Sequence, residues 1–330
     1  MRSMAPLVSI ILPTFNRAHF LEQAFRSLAS QTYQVFEIII VDDGSTDNTK
    51  DVINALITKV AQPVRYIYQE NQGPGVARQN GIDEASGELL AFFDSDDEWL
   101  PEHLSESVDV LKQFPECDWV YFACKRVEKS TRRTLLDSTF YTDLQPNKLF
   151  SIANKRAENI YQLNLEDAAL LQLQDGIDSG LQNSVVRKDV FDKISIPPFR
   201  VGEDRLFILM AIKNGFNFFF KDKVTVLYNV HDGNTSDTAI GDERYERRIK
   251  AMEQLVHSYE GTSDYVILNS DEREALSMRL ADDYFWKLGY SLYWASGDKT
   301  SARRCYKKAL RFIQFKNAGM LKTFLLSYIK

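Results

Sequence analysis

The sequence predicts an α/β fold built on a Rossmann-like, mostly parallel central sheet with helices on both faces. Two observations carry this. Apolar runs of strand length alternate with stretches of helical periodicity through the first ~125 residues, the pattern of consecutive βαβ units. Two of those runs then end abruptly in acids: Phe36–Val41 at Asp42 and Asp43, and Leu89–Phe93 at Asp94, Asp96 and Asp97. A run almost free of charge suits a strand buried on both faces of a parallel sheet. Acids at its carboxyl end fall where open α/β sheets bind ligands.

The elements follow in order. Val8–Leu12 reads as the first strand, closed by Pro13-Thr-Phe-Asn-Arg17, and a helix follows because Leu21, Ala24, Phe25 and Leu28 repeat at helical spacing. After the second strand, Thr46 or Asp47 can cap a helix that buries Val52, Ile53, Leu56 and Ile57. Val64–Gln69 makes a third strand. Gly73-Pro-Gly75 opens the next helix, and Gly87 ends it before the strand that carries the acids. A helix near Pro101 and a strand over Trp119–Ala123 complete this half.

Composition limits what such a sheet can be for. Of 330 residues, 44% are hydrophobic and 26% charged, the balance of a folded soluble protein. A net charge of −6 gives no case for nucleic-acid binding, but Asp298–Lys330 holds nine Lys or Arg against one acid. That tail is a candidate surface for an anionic partner. Three cysteines without C-x-x-C spacing suggest neither a disulfide framework nor a zinc site and fit a reducing compartment. No run approaches membrane-spanning length and the Leu7–Leu12 run is too short for a signal-peptide core, so a cytoplasmic location is expected.

Two phosphate-binding signatures are missing: no G-x-G-x-x-G follows the first strand, and no G-x-x-x-x-G-K-[ST] occurs anywhere. A bound nucleotide would need another device for its phosphates. Asp94, Asp96 and Asp97 offer hard carboxylate oxygens suited to Mg²⁺ or Mn²⁺. The plainer reading is an acidic turn before the helix near Pro101.

Four segments decide between these. Val8-Ser-Ile-Ile-Leu-Pro-Thr-Phe-Asn-Arg17, Ile40-Val-Asp-Asp-Gly-Ser-Thr-Asp47, Gly75-Val-Ala-Arg-Gln-Asn-Gly81 and Phe93-Asp-Ser-Asp-Asp97, in this order, resemble the family 2 glycosyltransferases, which have the GT-A fold. The resemblance runs over most of residues 7–235. It implies a base pocket lined by Pro13, Thr14 and Phe15, with Asp42 accepting a hydrogen bond from the base. Asp94, with Ser95 beside it, would hold the ribose or help with the metal, and Asp96 would ligate the ion. Arg78 would reach a phosphate or be a solvated helix-face arginine, and Asn80 would fix the turn of its helix. In Ser179–Arg187, Gln182 and Asn183 would touch donor or acceptor sugar, or be satisfied by nearby backbone.

Two later segments complete the expected site. Gly202-Glu-Asp204 precedes a helix, where acids can be favoured by the helix dipole alone. The resemblance instead sets Glu203 near the donor sugar and makes Asp204 the general base. In Tyr228–Ser236, His231 resembles the late histidine that completes the metal site in several family members.

The expected organisation is a nucleotide-sugar-binding half over 1–125, an acceptor-binding half over 126–240, and a helical extension over 241–330. In that extension Ala302, Cys305, Tyr306, Ala309, Leu310 and Ile313 form one stripe; Arg303, Arg304, Lys307, Lys308 and Arg311 form the opposite face. This is either a cap on the catalytic domain or a basic face for peripheral contact with a membrane. The function expected is inverting transfer from a nucleoside diphosphate sugar, a UDP-sugar first, to a hydroxyl of a glycan, lipid-linked or protein acceptor in surface polysaccharide or glycoconjugate synthesis. A sugar-nucleotide pyrophosphorylase is disfavoured because Pro13-Thr-Phe-Asn is neither Gly-rich nor basic. A non-catalytic binding protein is disfavoured because Asp42, Asp94, Asp96 and Asp204 are all present.

Overall fold

Largely apolar strands form where the sequence predicts them, and they set the sheet. The computed structural model of the protein describes residues 5–231, 234 and 242–329. Its first half runs β1 (Val8–Thr14), α1 (Ala18–Ala29), β2 (Phe36–Asp42), α2 (Thr49–Ile57), β3 (Val64–Tyr68), α3 (Pro74–Asp83), β4 (Leu89–Phe92), β5 (Glu98–Trp99) and α4 (His103–Gln113). β1 pairs in parallel with β2 and β4, and β2 with β3. Ile10, Ile11, Ile39, Ile40, Leu90 and Phe92 are wholly buried, as strands covered on both faces require. Pro74 begins α3 behind Gly73, whose φ of 98° only glycine adopts without strain. Gly81 lets this helix settle on the sheet, since a Cβ there would lie 2.6 Å from Ile11.

Beyond α4 come β6 (Trp119–Glu128), β7 (Thr134–Leu136), β8 (Tyr141–Thr142), β9 (Gln145–Pro146), β10 (Ala153–Ala157), β11 (Ile160–Leu163), α5 (Leu165–Gln174), β12 (Ser184–Arg187), α6 (Glu203–Lys213) and β13 (Phe218–Val230). The sheet order is β10-β11-β13-β6-β12-β4-β1-β2-β3. Most central pairs are parallel, but β12 is inserted antiparallel between β4 and β6. Lys125–Arg133 forms the outer part of β6 and its turn into β7. Trp119, Tyr121, Phe218 and Phe220 on β6 and β13 are fully buried, and Trp119 stacks on Phe218 at 4.8 Å. Each buried ring contributes about 1.5–3 kcal/mol.

His103, at the start of α4, is fully buried, with Nδ1 2.8 Å from the Thr225 hydroxyl and its ring 4.3 Å from that of Trp99. Burial pushes its pKa down to about 3. The unfolded chain takes a proton on this imidazole near pH 6.5, while the folded chain refuses it until about 3. Below 6.5 the unfolded state therefore binds more protons, and stability falls with pH by up to ~1.4 kcal/mol per unit from this group. Chemical denaturation at pH 6.5 and 4.5 should show a smaller loss in His103→Gln than in the unsubstituted protein. Equal losses would show that the histidine does not titrate this way.

By contact the chain divides into two compact units, Met1–Ala168 with Ile177–Val230, and Ala169–Gly176 with His231–Lys330. The sheet belongs to the first. The second holds α7 (Asp242–Glu260), α8 (Ser270–Asp282), a π-helical segment Asp283–Trp294, α9 (Lys299–Phe312) and α10 (Ala318–Leu326). Asn269 and Glu272 cap α8 reciprocally. Buried Asp283 pairs with Arg279 at 2.9 Å and Lys287 at 2.6 Å. The boundary expected at 240/241 lies outside the described residues. No described helix is long and apolar enough to cross a membrane.

Candidate active site

The carboxyl ends of β1 and β2 lie side by side, Thr14 in register with Asp42. The loops that leave them are laced together by Asn16, whose side-chain oxygen accepts from the Thr46 N–H at 2.8 Å. Asn16 itself is left-handed, at φ 53°, which asparagine tolerates better than most residues. Pro13 is half-buried, Thr14 is buried with no hydrogen-bond partner for its hydroxyl, and Phe15 is exposed. Asp42 is buried and accepts from the Ser45 N–H at 2.9 Å and the Tyr66 hydroxyl at 2.8 Å. Burial, then this hydrogen bond, raises the Tyr66 pKa, so the phenol stays a donor to Asp42. Asp43 turns away, accepting from Gln69, Gln72 and Gly73, and Asn80 donates to Gln69. Asn80 is thus structural.

The acids after β4 divide by environment. Asp97 is buried, accepts from the Asn229 N–H at 3.0 Å, and leaves its second oxygen without a partner. Burial first, then Asp96 and Asp94, pushes its carboxyl well above the usual range. Ser95 is buried, whereas Asp94 and Asp96 are partly exposed. The Arg17 guanidinium lies 3.6 Å from Asp96.

Arg78 is where the structure departs furthest from a surface arginine. It is buried, and its two terminal nitrogens reach Asp94 at 2.8 Å and Glu203 at 2.6 Å. The planar guanidinium reaches carboxylates on two different elements, one through each terminal nitrogen. Gly75 permits the approach, since a Cβ there would lie 2.8 Å from the Pro197 carbonyl and 3.4 Å from Glu203. Asp94 comes from the end of β4, Arg78 from α3, and Glu203 from the first turn of α6 behind Gly202 at φ 84°. One buried cation thereby ties together three segments distant in sequence.

Asp204 follows Glu203, is half-buried, and accepts from the Arg205 N–H at 2.7 Å. Its charge is felt at both Asp94 and Glu203. Burial pushes Asp94 up, Arg78 pulls it back, and Asp96 and Asp204 raise it again. Glu203 goes up to about 7 from burial, with Arg78 opposing and Asp204 reinforcing. Gln182 is half-buried, its carbonyl accepting from the Trp99 indole at 2.8 Å. Asn183 is buried, donates to the Phe122 and Asp178 carbonyls and accepts from the Gly180 N–H. Its amide is satisfied by backbone, so of the two expected sugar contacts Asn183 is the one the structure uses to shape the loop.

His231 follows β13 directly and falls in the second unit; its N–H donates to Asn234 at 2.5 Å. Asp232, Gly233, Thr235 and Ser236 of its segment lie outside the described residues. No group of three His, Cys, Asp or Glu among the described residues is arranged to hold a metal. The donor chemistry of the acid cluster nonetheless suits a hard cation, because Asp96 raises Asp94, both raise Asp97, and an added positive charge relieves that repulsion. Lys129 adds to the same field: burial lowers its pKa while Glu98, Asp96 and Asp97 raise it. Tyr66, Arg17 and Lys129 were not singled out in sequence, where Tyr66 lies within the third strand and Arg17 at the end of the loop after the first.

The sequence profile described as "Glycosyl transferase family 2" matches residues 9–194, which span β1, the acid loop and β12. The chain belongs to that family. Its fold is of the GT-A type. In that fold it resembles Staphylococcus aureus TarS 1–349 in complex with UDP-GlcNAc, with a TM-score of 0.60, 19% identity and coverage of 92% of this chain and 81% of the other. The mannosyltransferase PcManGT from Pyrobaculum calidifontis, in complex with GDP-Man and Mn²⁺, gives 0.57 and 15% identity over 99% and 85%. Among sequence relatives, a Campylobacter jejuni GalNAc(5)-diNAcBac-PP-undecaprenol β-1,3-glucosyltransferase is 44% identical over 102 residues, 30% of this chain and 33% of that one. The putative teichuronic acid biosynthesis glycosyltransferase TuaG of Bacillus subtilis is 35% identical over 114, 34% and 45%. Each sequence match thus covers less than half of the relative.

Proposed function

We propose that this family 2 member transfers a sugar from a nucleoside diphosphate sugar, a UDP-sugar first, to an acceptor hydroxyl with inversion. The observation that carries the reading is the ion cluster at the sheet's carboxyl edge, where Arg78 ties Asp94 to Glu203 and so fixes α6's first turn, with Asp204, beside the acid loop. The UDP-GlcNAc of TarS and the GDP-Man of PcManGT support a nucleotide-sugar donor.

In this mechanism Pro13, Thr14 and the exposed Phe15 receive the base, and Asp42, oriented by Ser45 and Tyr66, accepts its N–H. Asp94 and Ser95 hold the ribose side. Arg78 acts on the protein's own acids rather than on a phosphate. Asp204 takes the proton of the acceptor hydroxyl as that oxygen forms its bond to the anomeric carbon. The bond from that carbon to the diphosphate breaks, the diphosphate keeps the electron pair, and a single displacement inverts the centre. Gln182 lies toward the sugars. A Mg²⁺ or Mn²⁺ held by Asp96 would supply charge neutralisation for the diphosphate.

Residues 1–125 are read as the nucleotide-sugar half, 126–240 as the acceptor half and 241–330 as an extension. The names of the Campylobacter and Bacillus relatives support a glycan or lipid-linked acceptor in surface polysaccharide or glycoconjugate synthesis, with a protein acceptor as the remaining class. Three unpaired cysteines support a cytoplasmic location, with membrane contact through the basic C-terminal helices.

The test is thermal stability against nucleoside diphosphates, each with and without Mn²⁺. A metal-dependent rise with one nucleotide, lost in Asp96→Ala, is expected; at a hundred times Kd a ligand specific to the native state adds about 2.7 kcal/mol. No rise with any nucleotide would overturn the donor site and leave a degenerate, non-catalytic domain.

A further inference from the structure

The second unit carries a surface the transfer reaction does not use. From Lys299 to Ile329 the chain has eight Lys or Arg and no acid. On α9, Asp298 caps the helix and Ala302, Cys305, Tyr306, Ala309 and Leu310 are buried. The basic face opposite is not uniform. Arg303 donates to the Ser327 carbonyl at 3.1 Å and lies over the Tyr328 ring, while Lys308 pairs with Glu260 at 2.5 Å and donates to Tyr284. Those two cations hold the unit together. Arg304, Lys307 and Arg311 remain exposed on α9, and Lys316 and Lys322 beyond it.

Left-handed backbone at Gln314 and Phe315, φ 51° and 59°, turns the chain back into α10, which Asn317 caps. The return runs antiparallel to α9, since the turn after α10 reaches Arg303 near α9's start. α10 buries only Met320 fully against the unit. Its other side puts large apolar groups in water: Leu325 is 58% exposed, Leu326 40%, Tyr328 63% and Ile329 81%, with Phe315 at 48% by the turn. Lys322 stands one turn before Leu325 and Leu326, placed to lay its stem along them with its ammonium outward.

We propose that the α9–α10 hairpin seats on an anionic lipid surface, with Phe315, Leu325, Leu326, Tyr328 and Ile329 entering the headgroup boundary and Arg304, Lys307, Arg311, Lys316 and Lys322 meeting lipid phosphates. Charge complementarity selects this occupant. Exposed apolar residues beside five exposed cations, in a stretch from Lys299 to Ile329 without an acid, match the boundary of an anionic bilayer. A second copy of the chain would present the same face, and an isologous pair would set these cations against one another.

The proposal does not depend on the transferase reading, because its test measures binding without turnover. The full chain is sedimented with phosphatidylcholine vesicles, with or without one part in three of phosphatidylglycerol, and its mass is measured in solution. Sedimentation with the anionic vesicles alone is expected, weakening as salt rises. Arg304→Glu, Lys307→Glu and Arg311→Glu together should lower partition by a hundredfold or more, at roughly fivefold per cation removed. Leu325→Asp with Leu326→Asp should abolish it with the melting temperature unchanged, since both residues are exposed. Absence of binding by the unsubstituted chain, or equal binding to neutral vesicles, overturns the proposal. So does a dimer that the Leu325→Asp, Leu326→Asp variant dissolves, because the face would then pair copies of the chain.

Discussion

Asp204→Asn is expected to cut sugar transfer by ~10²–10⁴-fold while leaving nucleotide affinity nearly intact, the signature of losing a proton acceptor. Asparagine keeps the shape of the side chain and its bond from the Arg205 N–H, but it cannot take the acceptor's proton. The sign of any binding change is also fixed. Asp204 raises the Asp94 pKa, so removing its charge lets Asp94 ionise more readily and should hold or tighten a metal–nucleotide complex. Turnover by the product-release assay and nucleotide affinity by titration, on the same preparation, separate the two. Transfer at the unsubstituted rate would remove Asp204 from the chemistry.

Arg78→Met is expected to destabilise the first unit strongly. It leaves Glu203 and Asp94 without the cation that satisfies both, and breaking a buried charge network from one side typically costs about 3–5 kcal/mol. Abandoned acids take up protons instead, and Glu203 already stands at about 7 with Arg78 present. That uptake is cheaper at low pH, so the loss should be larger at pH 8 than at pH 6. Arg78→Lys should recover part, since it restores the charge but not the two separately directed terminal nitrogens that reach Asp94 and Glu203. Adding Glu203→Gln to Arg78→Met should restore part of the stability, because it removes one of the two stranded charges. A penalty independent of pH, unchanged by Glu203→Gln, would show that Arg78 acts by packing alone.

These substitutions mark where sequence reading reaches and where it stops. The strands β1, β2 and β4 were legible because each is an apolar run closed by a polar loop, and the parallel pairing followed from their alternation with helices. Asp42, Asp94 and Asp96 were legible for the same reason, since a strand of known direction delivers its last residues to a known edge of the sheet. β12 was harder to place: four residues carry little periodicity, and its antiparallel seat between β4 and β6 depends on the neighbours it finds. Asn183 shows the converse, a polar residue in a promising segment whose hydrogen bonds close on backbone.

What the sequence determined by itself is the sheet, its order of helices, and the acids at its carboxyl edge, because these follow from local patterns of burial and turn. Only the tertiary structure decided what each charge faces. Arg78, one of forty Lys and Arg in the chain, became the buried link between Asp94 and Glu203 through contacts 16 and 125 residues apart in sequence. Of the cations on α9, Arg303 and Lys308 found partners in the Ser327 carbonyl and Glu260, while Arg304, Lys307 and Arg311 stayed exposed. Residue type sets the charge of a group, but its energy depends on which partners the fold brings within a few ångströms and how much water it leaves between them.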